Sequence, residues 1–179
     1  TAPVFPAARS KERLPGVLHL QHARPRAGSE VRIRADFRAP ARPGSMAQLL
    51  EQSTVLVLAR QPQGLSMGSG FFISRRHVLS NAHVVGNAGQ AFIINKATGG
   101  VLQATVRHRS TTGGRDFALL ELPADAAITP LEFAPGVERT QRVSAWGFPG
   151  AVTNDDPKFM ALLQGNASAV PEVVYTEGV

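Results

Sequence analysis

"MGSGFFISRRHVLSNAHVVGNA", residues 67–88, contains two short apolar runs divided by a polar turn, with a histidine just past the second. "MGSGFFIS" (67–74) and "HVLSNA" (77–82) both read as β-strands, being brief, rich in Phe, Ile, Val and Leu, and bounded by polar residues. His83 then stands in the middle of the apolar stretch "LSNAHVVGNA" (79–88). An imidazole there is either a half-buried side chain with a hydrogen-bond partner or the base of a catalytic site. The residues on both sides of it have to decide.

Working outward, further β-like runs follow the same pattern: "STVLVLAR" (53–60), "QAFIIN" (90–95), "GVLQATVRH" (100–108) and "DFALLEL" (116–122). Gly and Asn punctuate them around 63–64, 86–89, 99–100 and 113–114. Six short strands with polar turns and no long amphipathic helix between them predict an all-β sandwich or barrel. A parallel sheet would need crossover helices, for which there is no room. Just before the first strand, "SMAQLLEQ" can form a short helical turn, capped by Ser45, with Leu49 and Leu50 turned inward.

After Pro123 the stretch "PADAAITPLEFAPGVERT" has the Pro and Gly content of a linker. Strands resume with "RVSAWGFPG" (142–150) and "PEVVYTEGV" (171–179). Between them "AVTNDDPKFMALLQGNASAV" reads as an open loop leading into a possible strand near 159–170. Two or three strands are too few to close a second barrel. The division predicted is a basic extension over 1–45, a first barrel over 46–135 and the opening strands of a second over 136–179.

Charge is unevenly placed. Residues 1–45 hold nine Lys and Arg against three Asp and Glu, which accounts for the whole net charge of +6; the other residues hold ten of each. The segment is rich in Pro, Ala and Arg and reads as a solvated extension, with one strand-like piece, "EVRIRADFRA" (30–39), in which Val31, Ile33 and Ala35 share a face. Such an arm could touch anionic lipid, nucleic acid or an acidic partner. Only Phe5 and Phe37 are available there for stacking, which disfavours nucleic acid. Overall, 43% hydrophobic and 18% charged residues describe a globular chain rather than a disordered one. The absence of cysteine excludes internal disulfides and thiolate zinc sites. No apolar run approaches the ~20 residues of a transmembrane helix. The sequence opens on Thr1 rather than Met, in keeping with the removal of an upstream segment such as a signal peptide.

Four motifs in order make the chain resemble the trypsin-like (chymotrypsin-fold) serine proteases, in their bacterial, disulfide-free, HtrA-type form. "GSGFFIS" leads a strand, and "VLSNAHVV" resembles the catalytic-histidine motif. "RDFALLEL" resembles the aspartate motif, and "SAWGFPG" the first strand of the second barrel; "YTEGV" is similar to the later strand leading toward the nucleophile loop. The resemblance covers about residues 50–179. It implies a double β-barrel with the first barrel complete and the second only begun, His83 as general base and Asp116 as its orienting carboxylate. It also implies a protein or peptide substrate, no cofactor and no metal, and a periplasmic or secreted bacterial location.

The residue types suit that chemistry. Serine attack on an amide needs a base that titrates near neutral pH, which histidine supplies. A carboxylate on the other ring nitrogen fixes the tautomer and stabilises the imidazolium as it forms. Asp116 directly precedes a wholly apolar run, where an idle charge would be out of place. His19, His22, His77 and His108 lack such a setting and read as surface or loop histidines; Asp125, Asp155 and Asp156 read as loop residues. Adjacent Asp155 and Asp156 without further oxygen ligands make a poor cation site.

A nucleophile is missing from this pattern. The family's serine sits in a Gly-Asn-Ser-Gly-Gly-Pro type loop, and no such motif occurs in the 179 residues. Ser69 in "GSG" precedes the histidine; Ser168 lacks flanking glycines; Ser80, Ser110 and Ser144 have no supporting context. Two expectations follow. Either the chain is the N-terminal portion of a longer protease, inactive alone, or it is a catalytically inactive barrel that binds proteins. In either case open strand edges near 142–147 and 171–179 would take strands from the rest of the chain or from another subunit. A third reading, a nucleic-acid or anionic-membrane binder led by the basic arm, leaves the His and Asp motifs unexplained.

Overall fold

The computed structural model describes residues 44–178. The basic arm up to residue 43, with its strand-like piece and His19 and His22, lies outside the described residues. Helix α1 (Met46–Ser53) opens the described chain, with the Ser45 hydroxyl accepting the Gln48 N–H as its cap. Leu49 and Leu50 are half-buried. Six strands follow: β1 (Thr54–Gln61), β2 (Gly64–Phe72), β3 (His77–Ser80), β4 (Gln90–Asn95), β5 (Gly100–Ser110) and β6 (Phe117–Glu121). They close an antiparallel barrel in the order β1-β2-β3-β6-β5-β4. Between β3 and β4 stands a single helical turn, α2 (Ala82–Val85). The predicted strand over 77–82 therefore stops at Ser80, and His83 belongs to the turn.

Alternation along the strands fills the barrel. Val55, Val57, Phe72, Val78, Ile93 and Leu120 point inward and are fully buried. The continuous apolar run of β1 has a further cause: its other face is buried as well. Leu56 and Leu58, with Ile94, pack outside the barrel against Phe148, Phe159, Leu162 and Val170. Leu56 lies opposite Ile94 and Val57 opposite Ile93, so this outer cluster covers the seam where β1 meets β4 and the barrel closes.

The cover corrects the strand predicted near 159–170. Residues Pro157–Leu163 form helix α4, following a one-turn helix α3 (Gly150–Thr153). Asp156, far from idle in a loop, caps α4 by accepting the Lys158 N–H at 2.8 Å, and Pro157 occupies the first turn, where its missing N–H costs nothing. Phe159 and Leu162, three residues apart, form the buried stripe. The Pro-rich stretch after β6 is also less loose than its composition predicts. Ala126 and Ile128 enter the barrel core, and the Ala126 and Leu131 N–H groups donate to the Arg75 and Phe72 carbonyls. Strand β7 (Val143–Gly147) then pairs with β8 (Val174–Gly178) as a two-stranded ribbon. Across it the rings of Trp146 and Tyr175 stack at 4.6 Å.

Candidate active site

The site begins with two glycines. On β2, Gly68 and Gly70 face the barrel interior, and a Cβ on Gly68 would come within 2.4 Å of Val84 Cγ2. The missing side chain of Gly68 lets α2 settle across the mouth of the barrel with Val84 and Val85 buried, while that of Gly70 leaves room for Val57 and Val78. His83, between Ala82 and Val84 on this turn, points away from the core, its side chain 71% exposed.

Asp116 arrives from the loop that leads into β6. Its Oδ2 lies 2.5 Å from His83 Nδ1, and its Oδ1 accepts the His83 backbone N–H at 3.0 Å. An ionised carboxylate only accepts, so Nδ1 carries the hydrogen and Nε2 is the basic nitrogen, facing solvent. The hydrogen bond from the His83 ring, and after it that from the His83 backbone, hold the Asp116 carboxyl below its ordinary value of 3.8. The site therefore pairs an ionised carboxylate with an accessible imidazole.

Asn81 is a member that sequence reasoning missed. It occupies the N-cap position of α2 but makes no side-chain cap bond. Instead its Nδ2 donates to the Asp116 backbone carbonyl at 3.0 Å and approaches Oδ2 at 3.3 Å. The available signal was an amide side chain two residues before the histidine, which the reading of 77–82 as a strand passed over.

The other candidates stay apart. His77 and His108 lie on strands, His108 exposed as a surface histidine and His77 partly buried: His77 pairs its Nδ1 with Ser74 Oγ, and His108 lies 5.6 Å from the Phe117 ring. Among the described residues no serine hydroxyl bonds to His83. Ser80 Oγ donates to the Ser69 carbonyl, Ser144 Oγ accepts from Trp146 Nε1, and Ser168 Oγ pairs with Asn166 Oδ1. The Ser69 hydroxyl accepts the Phe148 N–H at 2.8 Å, tying the barrel to the chain just past β7. Beside Asp116 a cleft of about 400 Å³ runs between Ser69, Phe71 and Ser80 on the barrel and Ser144 and Trp146 on the ribbon. Among the described residues no three His, Asp or Glu side chains gather as a metal centre would require.

The chain belongs to the trypsin-like peptidase domain family, whose model matches residues 68–178. Among solved structures it is similar to the active form of the Rv3671c protease from M. tuberculosis. The identity is 31%, over 56% of this chain and 44% of that one, with a TM-score of 0.51. It also resembles the serine endoprotease from Yersinia pestis, at 19% identity, over 74% of this chain and 42% of that one, with a TM-score of 0.54. At that lower identity the likeness is one of fold. The chain spans less than half the length of either structure. No match was found among curated protein sequences.

Proposed function

We propose that this chain is the histidine- and aspartate-bearing part of a bacterial serine endopeptidase, with His83 as general base and Asp116 as the carboxylate that orients it. The observation that carries this reading is the two-point contact of Asp116 with His83, at Nδ1 and at the backbone N–H. In the reaction a serine hydroxyl adds to the peptide carbonyl and its proton passes to His83 Nε2. The tetrahedral intermediate collapses to an acyl-enzyme as that proton moves to the leaving amine. Water repeats the sequence to release the acid.

The serine and the backbone N–H groups of its oxyanion hole come, in this reading, from residues outside the 179, because no Gly-rich serine loop occurs among them. Losing such a nucleophile costs about a millionfold in turnover, so the chain alone is inactive. Its completing partner is the remainder of its own polypeptide or a second subunit that supplies the missing strands. A periplasmic or secreted location fits the bacterial sources of both structural neighbours. No described helix is long and apolar enough to cross a membrane.

Fluorophosphonate labelling of the natural gene's full product, with mass spectrometry to find the labelled residue, tests the proposal. A labelled serine outside Thr1–Val179, lost in His83→Ala, is the expected result. A folded, full-length product that takes no label would overturn it and leave a protein-binding barrel.

A further inference from the structure

The turn that carries His83 is four residues long. So short a helix has almost no internal hydrogen-bond ladder, and its carbonyls need donors from elsewhere. Two long side chains bond carbonyls at and just beyond its exit, adding to the Gly86 and Ala88 N–H bonds to Ala82 and Val85. Gln61, the last residue of β1, donates from Nε2 to the Val85 carbonyl at 2.5 Å. Arg109 on β5 donates from Nη1 to the Gly86 carbonyl at 2.7 Å and from Nη2 to the Ala88 carbonyl at 2.8 Å. The chain leaves the turn through Gly86 at φ +49°, where a Cβ would lie 2.4 Å from Gln61 Nε2. The exit is therefore shaped for this contact and has no room for a side chain of its own.

Arg109 reaches the turn because β5 is bulged. The register with β6 runs Val106 opposite Leu120, then His108 opposite Leu119 and Arg109 opposite Ala118, with a shift between Val106 and His108. Directly paired residues share a face, and Leu120 and Ala118 both face the barrel core. Val106 and Arg109 are thus both on the inner side although they are three residues apart. An unbroken strand would turn Arg109 outward. Asp116 stands in the loop one residue before β6, next to Phe117, which pairs with Ser110, so the β5–β6 register bears on both the guanidinium and the carboxylate.

We infer that Arg109, aided by Gln61, is a positioning residue for His83: it pins the exit of the helical turn and so fixes the imidazole against Asp116. This rests on the proposed role of His83 as the base.

The test uses the 179-residue chain with Arg109→Met, Arg109→Lys and, as a control on the outer face of the same bulge, Arg107→Met. The readouts are the Nδ1–H proton resonance of His83, its exchange with water, the carboxyl titration of Asp116, and the melting temperature. In Arg109→Met the Nδ1–H signal should weaken and exchange faster, and Asp116 should titrate closer to an ordinary carboxyl. Arg109→Lys, which keeps one donor, should restore part of both, and Arg107→Met should change neither. A lowered melting temperature with the His83 and Asp116 signals unmoved would overturn the inference and leave Arg109 a structural residue. If Arg109→Met does not fold, Arg109→Lys and Gln61→Ala are read for the same signals, and signals unmoved in both would overturn it equally. In the intact gene product Arg109→Met should lower kcat/KM by about 10²-fold, chiefly through kcat. Failure of the catalytic reading is visible separately, as fluorophosphonate labelling that survives His83→Ala.

Discussion

Asp116 has two jobs for one carboxylate: Oδ2 takes the imidazole and Oδ1 the backbone N–H of the same histidine. Replacing it by Asn would keep the shape but offer an N–H where an acceptor is needed, which favours the wrong tautomer. Turnover of the intact protein should fall by about 10⁴ in Asp116→Asn, measured on a peptide substrate at neutral pH. Gly68 supports the same site from below. Gly68→Ala would drive a methyl group into Val84 and should cost about 1–3 kcal/mol in a urea melt, while shifting the ring signals of His83. Unchanged stability and spectrum would show that α2 does not rest on that glycine.

Elements were legible where one period and one environment govern them. Strand β6 lies where its apolar run puts it, with Ala118 and Leu120 facing the barrel interior, and β4 where its run of apolar residues, buried on both faces, puts it. The helix α4 was not legible, since the five apolar residues of "PKFMALL" run together without a visible period, and the buried pair Phe159 and Leu162 stands out only against β1 and β4. Its cover of β1 supplies the missing context. Phe159→Ala should therefore destabilise the chain by about 3–5 kcal/mol in chemical denaturation, far more than a surface change would. Of the candidate site, the pairing of His83 with Asp116 was legible through the family resemblance of the motifs around them. Asn81 was not, because its partner is 35 residues away and the bond depends on tertiary approach.

Glu172 ties the segment before β8 to Lys96, beyond β4, and to Lys158 on α4. The hydrogen bond from Lys158, and next that from Lys96, hold its carboxyl below its ordinary 4.5. Between that lowered value and 4.5 the unfolded chain binds more protons than the folded one. The contribution is complete above about pH 4.5 and is lost as the pH falls through the folded value. The acid limb of a stability–pH curve should be shallower in Glu172→Gln. Near neutrality the variant should differ little, because exposed ion pairs are worth about 1 kcal/mol or less.

On the scale of the whole molecule, two kinds of β-structure share one chain. The barrel is a closed ring, whereas among the described residues β7 and β8 pair only with each other. An isolated two-stranded ribbon is marginal in water. Amide hydrogen exchange should therefore separate the two, with slow exchange at Val57, Ile93 and Leu120 and fast exchange through Val143–Gly147 and Val174–Gly178. Addition of the strands proposed to complete the second barrel should slow the ribbon selectively.

The apolar patch that receives α4 is made jointly by β1 and β4, two strands that meet only when the barrel closes. Before that meeting, Leu56 and Ile94 belong to distant parts of the chain and offer the helix nothing continuous to sit on. Docking of α4 is therefore expected to depend on the β1–β4 pairing. Cutting the chain ahead of Pro157 should speed unfolding and lower amide protection along β1 and β4 without abolishing the ring, while a break in the β1–β4 seam should leave the helix with no place to dock.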